Sequence, residues 1–191
     1  MAHNGLILGR SQYGKTSAAI GLCRRLIKSG RRALVYDILW DDWDEGLTEE
    51  EARRLIVTDD QEEFLKIFWG STDLVVFVEE AAETAGKSAR DMVFTATRGR
   101  HQIGEQAHGH SVYYSCHRLN QLDVTMRDQC PELFLFACGL SDARDLADHY
   151  GRVELKAAPS LEPGEFYHVA PGRKVGKYRV DFETKAVVPL D

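Results

Sequence analysis

Short runs of apolar residues alternate along this chain with longer segments in which apolar residues recur every three or four positions. An uninterrupted apolar run predicts a buried strand, and the longer spacing predicts a helix with one buried face. The predicted strands occupy residues 6–8, 32–37, 55–58, 74–78, 111–116 and 133–138, and the predicted helices occupy residues 16–27, 60–69, 85–98, 124–129 and 142–150. This alternation predicts an α/β fold, an open and mainly parallel sheet with helices on both faces.

The run at residues 74–78, Leu-Val-Val-Phe-Val, is apolar at every position. A strand that is apolar on both faces belongs in the middle of a parallel sheet. Beyond residue 150, prolines and glycines separate two short predicted strands at residues 165–169 and 177–182. We therefore expect a single domain over residues 1–191, with a core at 1–150 and a short antiparallel appendix at 151–191.

The charged residues are unevenly distributed. The net charge of −6 argues against a protein that coats nucleic acid by bulk attraction. Residues 1–36 carry seven Lys or Arg and no acid, whereas residues 37–63 carry twelve acids against two Arg, a local net charge of −10. Either subunits meet basic face to acidic face, or these runs are solvated surface. Residues 40–51 are predicted to form an exposed excursion with a short helix after Thr48, where Glu51 completes a capping box.

The longest apolar stretch is far too short to span a bilayer, and the N-terminus lacks a charged segment followed by an apolar one. The sequence therefore predicts a cytoplasmic protein with no membrane-spanning segment. Its cysteines show no C-x-x-C spacing and are predicted to be reduced and mostly buried: Cys23, Cys116, Cys130 and Cys138.

A glycine-rich loop joins the first predicted strand to the first predicted helix. Residues 9–16 fit the pattern G-x-x-x-x-G-K-[ST] without a mismatch. Glycines let backbone N–H groups converge on phosphate oxygens, and the helix N-terminus adds its positive dipole. The pattern predicts ATP binding, with Lys15 at the β- and γ-phosphates and Thr16 on Mg²⁺; the alternative is a merely structural turn. The candidate nucleotide-binding residues are Gly9, Arg10, Ser11, Gln12, Tyr13, Gly14, Lys15, Thr16 and Ser17.

Two acids, Glu79 and Glu80, directly follow the apolar strand at residues 74–78. An apolar strand that ends in acids has the form of a Walker B strand. Glu79 is placed to hold Mg²⁺ with its water shell, and Glu80 is placed to orient and polarise the attacking water. The alternative is a strand that simply exits into solvent.

Several histidines and aromatic residues allow two interpretations each. The histidines His101, His108, His110 and His117 are crowded together, but their spacing matches no zinc motif. The aromatic side chains of Trp40, Trp43, Tyr113 and Tyr114 either stack on nucleic-acid bases or pack in the core or an interface.

Four later segments carry a family resemblance: residues 97–101, 111–118, 126–129 and 134–146. Together with the loop and the acid pair, they resemble the FtsK/HerA superfamily of RecA-like ring motors. In that superfamily an arginine-rich segment follows the Walker B helix, and a strand ends in a polar sensor. The small size is most similar to the genome-packaging ATPases of tectivirus-like, membrane-containing icosahedral viruses. The resemblance covers residues 5–150, and residues 164–169 resemble the final strands of such motors.

The resemblance implies a homo-oligomeric ring, a hexamer, that acts on double-stranded DNA and docks on capsid or portal-vertex proteins. It implies that Arg98 and Arg100 are candidates for an arginine finger supplied to a neighbouring subunit's nucleotide. Further candidates for that role are Arg118, Arg127 and Arg144, and each of these arginines has a solvated or DNA-facing alternative. His117 stands at the sensor place, where relatives often carry Gln, and Glu79 stands where most carry Asp.

Three functions are compatible with these residues. The first is an ATPase ring motor that translocates double-stranded DNA into a capsid, with Glu80, Lys15, Arg98, Arg100 and His117 as catalytic residues. The second is a thymidine-kinase-like P-loop kinase, against which stands the lack of a paired-cysteine zinc site. The third is an assembly or secretion ATPase of the Zot type, for which the sequence offers no membrane anchor.

Overall fold

The computed structural model describes residues 2–39, 41–81, 90–99 and 109–190. Within these residues the strands are β1 (Asn4–Leu8), β2 (Arg32–Tyr36), β3 (Leu55–Thr58), β4 (Leu74–Val78), β5 (Ser111–Cys116), β6 (Glu132–Leu135), β7 (Glu165–Val169), β8 (Gly176–Val180) and β9 (Val187–Leu190). The α-helices are α1 (Lys15–Lys28), α2 (Glu49–Ala52), α3 (Gln61–Gly70), α4 (Arg90–Arg98), α5 (Val124–Asp128) and α6 (Leu140–Tyr150), with 3₁₀ helices at Leu119–Gln121 and Val153–Ser160.

The nine described strands form one sheet in the order β3-β2-β4-β5-β1-β6-β7-β8-β9. Strands β1 to β6 are parallel to one another, and β7, β8 and β9 extend the sheet from β6 by antiparallel pairing. The predicted mainly parallel sheet with a short antiparallel C-terminal part is confirmed. Because the carboxyl ends of parallel strands share one edge, the segments that follow β1, β4 and β5 meet there. Strand β5 lies between β1 and β4. The glycine loop follows β1, and the acid pair follows β4.

Helices cover both faces of the sheet, as predicted. On one face α1 buries Ala19, Cys23 and Ile27 against alternate residues of the strands. On the other face Phe64 of α3 and Leu146 of α6 pack in a second apolar cluster. Among the described residues, no helix combines the length and the apolar character that crossing a bilayer requires.

The boundaries of the last predicted strands differ from the structure. Strand β6 ends at Leu135 rather than at 138, because the chain leaves the ladder to contact the glycine loop: the Ala137 carbonyl accepts a hydrogen bond from Arg10 N–H at 2.8 Å. Strand β8 ends at Val180 because Asp181 begins a tight turn. Strand β9 and the 3₁₀ helix at Val153–Ser160 were not predicted, since both are short and contain proline.

The acidic segment after β2 is partly folded into the core, so its prediction as an exposed excursion is wrong at Trp43. The Trp43 side chain is buried, donates from Nε1 to Asp37 Oδ2 at 2.8 Å, and packs on Phe77. The Thr48–Glu51 capping box is present as predicted. Arg24 of α1 donates to the Asp42 carbonyl and lies 3.4 Å from Glu45. Part of the charge asymmetry is therefore neutralised within one chain.

His110 and the four cysteines fit structural roles. His110 is buried; its Nδ1 accepts from Leu74 N–H at 3.0 Å, and its Nε2 lies 2.9 Å from the Phe68 carbonyl oxygen. All four cysteines are buried. Tyr113 and Tyr114 are also buried, which matches the packing interpretation. Trp40, His101 and His108 lie outside the described residues.

A partly buried acid at the opposite, amino-terminal edge of the sheet gives a testable pH dependence. Glu132 lies between His3 Nε2 at 2.8 Å and His168 Nε2 at 2.7 Å. Burial raises the pKa of Glu132, but hydrogen bonds from His168 and His3 outweigh it and hold the pKa at about 2. A depressed pKa stabilises the fold above the unfolded value, and that stability is lost as pH falls toward 2.

We expect Glu132→Gln to lower the free energy of unfolding at pH 6 by on the order of 2 kcal/mol. The difference from the wild type should shrink as pH falls below about 4.5, the ordinary pKa of glutamate. Urea unfolding at pH 6, 4 and 3 measures this. A difference that stays constant over this range would contradict the proposed ionisation.

Candidate active site

The glycine loop connects β1 to α1 and is shaped by close contacts on both sides. A Cβ on Gly9 would lie 2.5 Å from Phe136 Cβ, so only glycine fits there. Gly14 has a φ of 99° and Gln12 a φ of 64°, both in the left-handed region. The loop therefore follows a path that most residues adopt only with strain.

Helix α1 begins at Lys15 with an electropositive N-terminus. Gly14 at its N-cap has no capping side chain, and the first turn contains no acid. The first N–H groups of a helix have no intrahelical acceptor and carry the positive end of the dipole. The N-terminal end of α1 therefore has the character of an anion-binding site.

Lys15 lies at the centre of the site. Its side chain is almost completely buried, and its Nζ lies 3.2 Å from the Arg10 carbonyl oxygen and 3.0 Å from His117 Nδ1. Burial lowers the pKa of Lys15, while the charges of Glu80 and Glu79 oppose that shift. The two direct partners of the Lys15 ammonium, a carbonyl oxygen and an imidazole nitrogen, are uncharged, so the ammonium is available to pair with phosphate oxygens.

Glu79 and Thr16, the predicted metal-binding pair, are in contact. The Thr16 hydroxyl donates to Glu79 Oε2 at 3.3 Å. Burial raises the pKa of Glu79 to about 7, although the hydroxyls of Ser115 and Thr16 and the charge of Lys15 lower it. A buried carboxylate that is costly to ionise is stabilised in its charged form when a cation binds beside it. One carboxylate together with one hydroxyl is a typical protein contribution to Mg²⁺ binding. These residues fit the ion.

Glu80 follows Glu79 with an unusual backbone. Its φ of 47° lies in the left-handed region, which is strained for a residue with a side chain. The Glu80 Oε1 atom lies 2.9 Å from His117 Nε2. The strained backbone turns Glu80 away from the line of β4 and toward the end of β5.

His117 joins Lys15 to Glu80, a connection that the sequence analysis did not predict. One tautomer satisfies both contacts: Nδ1 accepts from Lys15, and Nε2–H donates to Glu80. The residue lies directly after β5, the strand that separates β1 from β4. The imidazole thus links the end of β4 to the loop after β1. Only the position of His117 at a strand end was readable from sequence.

Three arginines surround a cavity of about 380 Å³ beside this group. Arg10 of the glycine loop, Arg118 and Arg127 line it with His117, and Asp142 and Asp145 of α6 line the same cavity. Arg118 and Arg127, candidates for a finger, are thus close to the phosphate loop of their own chain. Arg144 is exposed on α6.

Arg98 lies away from the site of its own chain. It ends α4, next to Gly99, whose carbonyl accepts from His110 N–H at 2.9 Å just before β5 begins. His117 follows the other end of β5, so the six residues of the strand, about 17 Å, separate the two positions. The Arg98 guanidinium is exposed and stacks on Phe94 at 4.2 Å. Arg100 lies outside the described residues.

The C-terminal appendix contacts the glycine loop, which the sequence did not predict. Gly164 N–H donates to the Tyr13 carbonyl at 3.0 Å. A Cβ on Gly14 would lie 3.0 Å from Val180 and 3.1 Å from Phe182. Strands β7 and β8 therefore support the loop from the side opposite β5. These contacts join residues more than 140 positions apart and leave no local sequence signal.

The sheet order, the glycine loop on helix α1 and the acid pair after β4 define the RecA-like P-loop ATPase fold. No protein-family model and no curated protein sequence matches this chain. Solved structures do. The genome packaging NTPase B204 from Sulfolobus turreted icosahedral virus 2, in complex with sulfate, matches with a TM-score of 0.70 at 15% identity over 92% of this chain and 95% of that chain.

B204 in complex with AMPPCP matches with a TM-score of 0.63 at 13% identity over 100% of this chain and 97% of that chain. VirB4 of Thermoanaerobacter pseudethanolicus matches with a TM-score of 0.64 at 11% identity over 93% of this chain and 89% of that chain. These TM-scores show a shared fold, and identities of 11 to 15% show no more than that. The predicted resemblance to FtsK/HerA-type P-loop ATPases is confirmed at the level of fold.

Proposed function

We propose that this chain is an ATP-hydrolysing subunit of a ring motor that translocates double-stranded DNA, with the packaging of a viral genome into a capsid as its task. One observation carries the hydrolase part: Glu80 is linked through His117 to the phosphate-binding Lys15. A carboxylate held next to a phosphate-binding lysine is placed to orient a water molecule for attack.

The residues divide the chemistry between them. The loop N–H groups and Lys15 would hold the phosphates, and Arg10 adds charge at the same edge. Thr16 and Glu79 would hold Mg²⁺. When bound, this ion would neutralise part of the negative charge on the phosphate oxygens. Glu80 would accept a hydrogen bond from the attacking water and align it with the γ-phosphate.

The motor part of the proposal rests on the relatives. B204, described as a genome packaging NTPase, shares the fold over nearly its whole length. We propose genome packaging for this chain as well. It would act as a homo-oligomeric ring, a hexamer, on double-stranded DNA, in the host cytoplasm or at the virion vertex with capsid or portal proteins.

The test compares ATP turnover with and without long duplex DNA, beside a panel of nucleosides as phosphate acceptors. We expect strong stimulation by duplex DNA and no phosphorylated nucleoside. Glu80→Gln, which keeps the shape of the side chain but not its basicity, is the inactive control. Phosphorylation of a nucleoside without DNA stimulation would instead support the thymidine-kinase-like function.

His117 allows a second prediction about this site. Gln offers an amide oxygen that can accept from Lys15 and an NH₂ that can donate to Glu80, whereas Leu offers neither. We expect His117→Gln to keep most of kcat. His117→Leu should lower kcat by between about 10- and 100-fold, because misplaced reacting groups slow a reaction by about this factor. ATP affinity should be nearly unchanged in both variants. Steady-state kinetics and equilibrium ATP binding measure both. Equal kcat in the two variants would contradict the positioning role.

A further inference from the structure

An exposed aromatic residue lies against the glycine loop on the side away from the acids. Phe182 is 44% exposed, although it lies in the turn between two strands that pack on the domain. Its ring atoms lie 3.1 and 3.4 Å from where a Cβ on Gly14 would be, and 3.4 Å from the corresponding point on Gly164. The ring therefore rests on two glycines, and 44% of the surface of Phe182 is open to solvent.

The turn that carries Phe182 is held in place from two directions. Asp181 Oδ1 accepts from Glu183 N–H at 3.0 Å and from Thr184 N–H at 2.7 Å, which closes the turn. A Cβ on Gly21 of α1 would lie 2.1 Å from the Lys185 carbonyl oxygen. The turn therefore lies directly on α1, and this close approach requires glycine at position 21. Phe182 is thus presented by an ordered turn.

The site itself gives the direction in which a bound nucleotide must run. The group that would meet the γ-phosphate, Lys15 with His117 and Glu80, lies toward β5 and β4. Strands β6, β7 and β8 lie on the other side of β1. A nucleotide with its γ-phosphate at Glu80 therefore extends its α-phosphate, ribose and base toward β6–β8. Phe182 directly follows β8, next to the loop residue Gly14.

We propose that Phe182 is the platform on which the nucleobase of the bound nucleotide stacks. The inference rests on the proposed nucleotide binding and adds to it a residue for the base. An exposed aromatic ring gives a planar, apolar surface to a purine, and such stacking is worth roughly a 5- to 100-fold change in affinity upon alanine substitution.

The experiment compares ATP with inorganic triphosphate, which has the phosphates but no base. Equilibrium binding of each ligand is measured for the wild type, Phe182→Ala, Phe182→Trp and the control Val188→Ala, which removes an exposed apolar side chain from β9 of the same hairpin. We expect Phe182→Ala to weaken ATP binding by roughly 5- to 100-fold and to leave triphosphate binding unchanged. Phe182→Trp should retain ATP binding, and ATP but not triphosphate should quench its additional fluorescence.

The other outcomes separate this proposal from the proposed function. Equal weakening of both ligands in Phe182→Ala would mean that the ring only braces the loop, and unchanged ATP binding would mean that the base lies elsewhere; each overturns the platform. A wild type that binds triphosphate as tightly as ATP would also overturn it while leaving the phosphate loop intact. A wild type that binds neither ligand would overturn the proposed ATP binding itself.

Discussion

Lys15→Ala should abolish ATP hydrolysis and remove most of the affinity for the nucleotide. Lys15 is the loop's one full positive charge among residues 11–17, and its Nζ lies in a nearly buried position beside His117. The removal of one preorganised charge from a water-poor site typically costs 10²- to 10³-fold in rate. We expect turnover to fall by roughly 10³-fold, because the charge of Lys15 then no longer offsets the repulsion between the phosphates and the carboxylates of Glu79 and Glu80.

The measurement pairs ATP binding with steady-state turnover in the folded variant. Lys28→Ala is the matched control, because it removes the same charge from the chain. Lys28 lies at the opposite, exposed end of the same helix. Circular dichroism and thermal unfolding establish that both variants fold. Near-normal turnover in Lys15→Ala would mean that residues 9–16 form only a structural turn.

A second consequence of the substitution concerns the acids. The charge of Lys15 lowers the pKa of Glu79, which burial raises to about 7. In Lys15→Ala that pKa should rise further, so that Glu79 is protonated over more of the neutral range. A residual Mg²⁺ affinity that increases more steeply with pH than in the wild type would follow from this change.

The parts of the site that were predictable from sequence are those whose chemistry is contiguous in the chain. The glycine loop consists of consecutive residues, 9–17, and the two acids directly follow their strand. Sequence pattern and spacing were therefore sufficient to predict where both lie. The link from Lys15 to Glu80 through His117 joins three strand ends, and it depends on the placement of β5 between β1 and β4. No spacing encodes that order.

The same argument explains the errors. Trp43 occurs in a segment dense with acids, and the local composition favours exposure; its burial depends on Asp37, which accepts the indole N–H, and on Phe77 of β4. Strand β9 is four residues long, includes Pro189 and exposes Val188, so neither length nor periodicity marks it. The contact between Trp43 and Phe77 joins distant parts of the chain, which local composition does not encode.

Arg98, the last residue of α4, and Arg100 give the prediction that separates a ring from an independent enzyme. Arg98 lies near the beginning of β5, whereas Lys15 contacts His117 after its end. Arg98 therefore does not lie within reach of the phosphates of its own chain, and a catalytic role requires a neighbouring subunit. We expect the variant Arg98→Ala/Arg100→Ala to bind ATP normally and to lose on the order of 10³-fold in turnover, the effect of a missing finger supplied in trans.

Mixing this variant with Lys15→Ala is the decisive measurement. Each variant supplies what the other lacks, so some interfaces in a mixed ring pair an intact loop with an intact arginine segment, and partial activity should return. Arg53→Ala, which removes an exposed arginine after α2, controls for the loss of surface charge. Wild-type activity should also rise with protein concentration as rings form. Two inactive variants that co-assemble and remain inactive at every ratio would exclude a shared site, and a monomer whose activity is independent of concentration would exclude the ring.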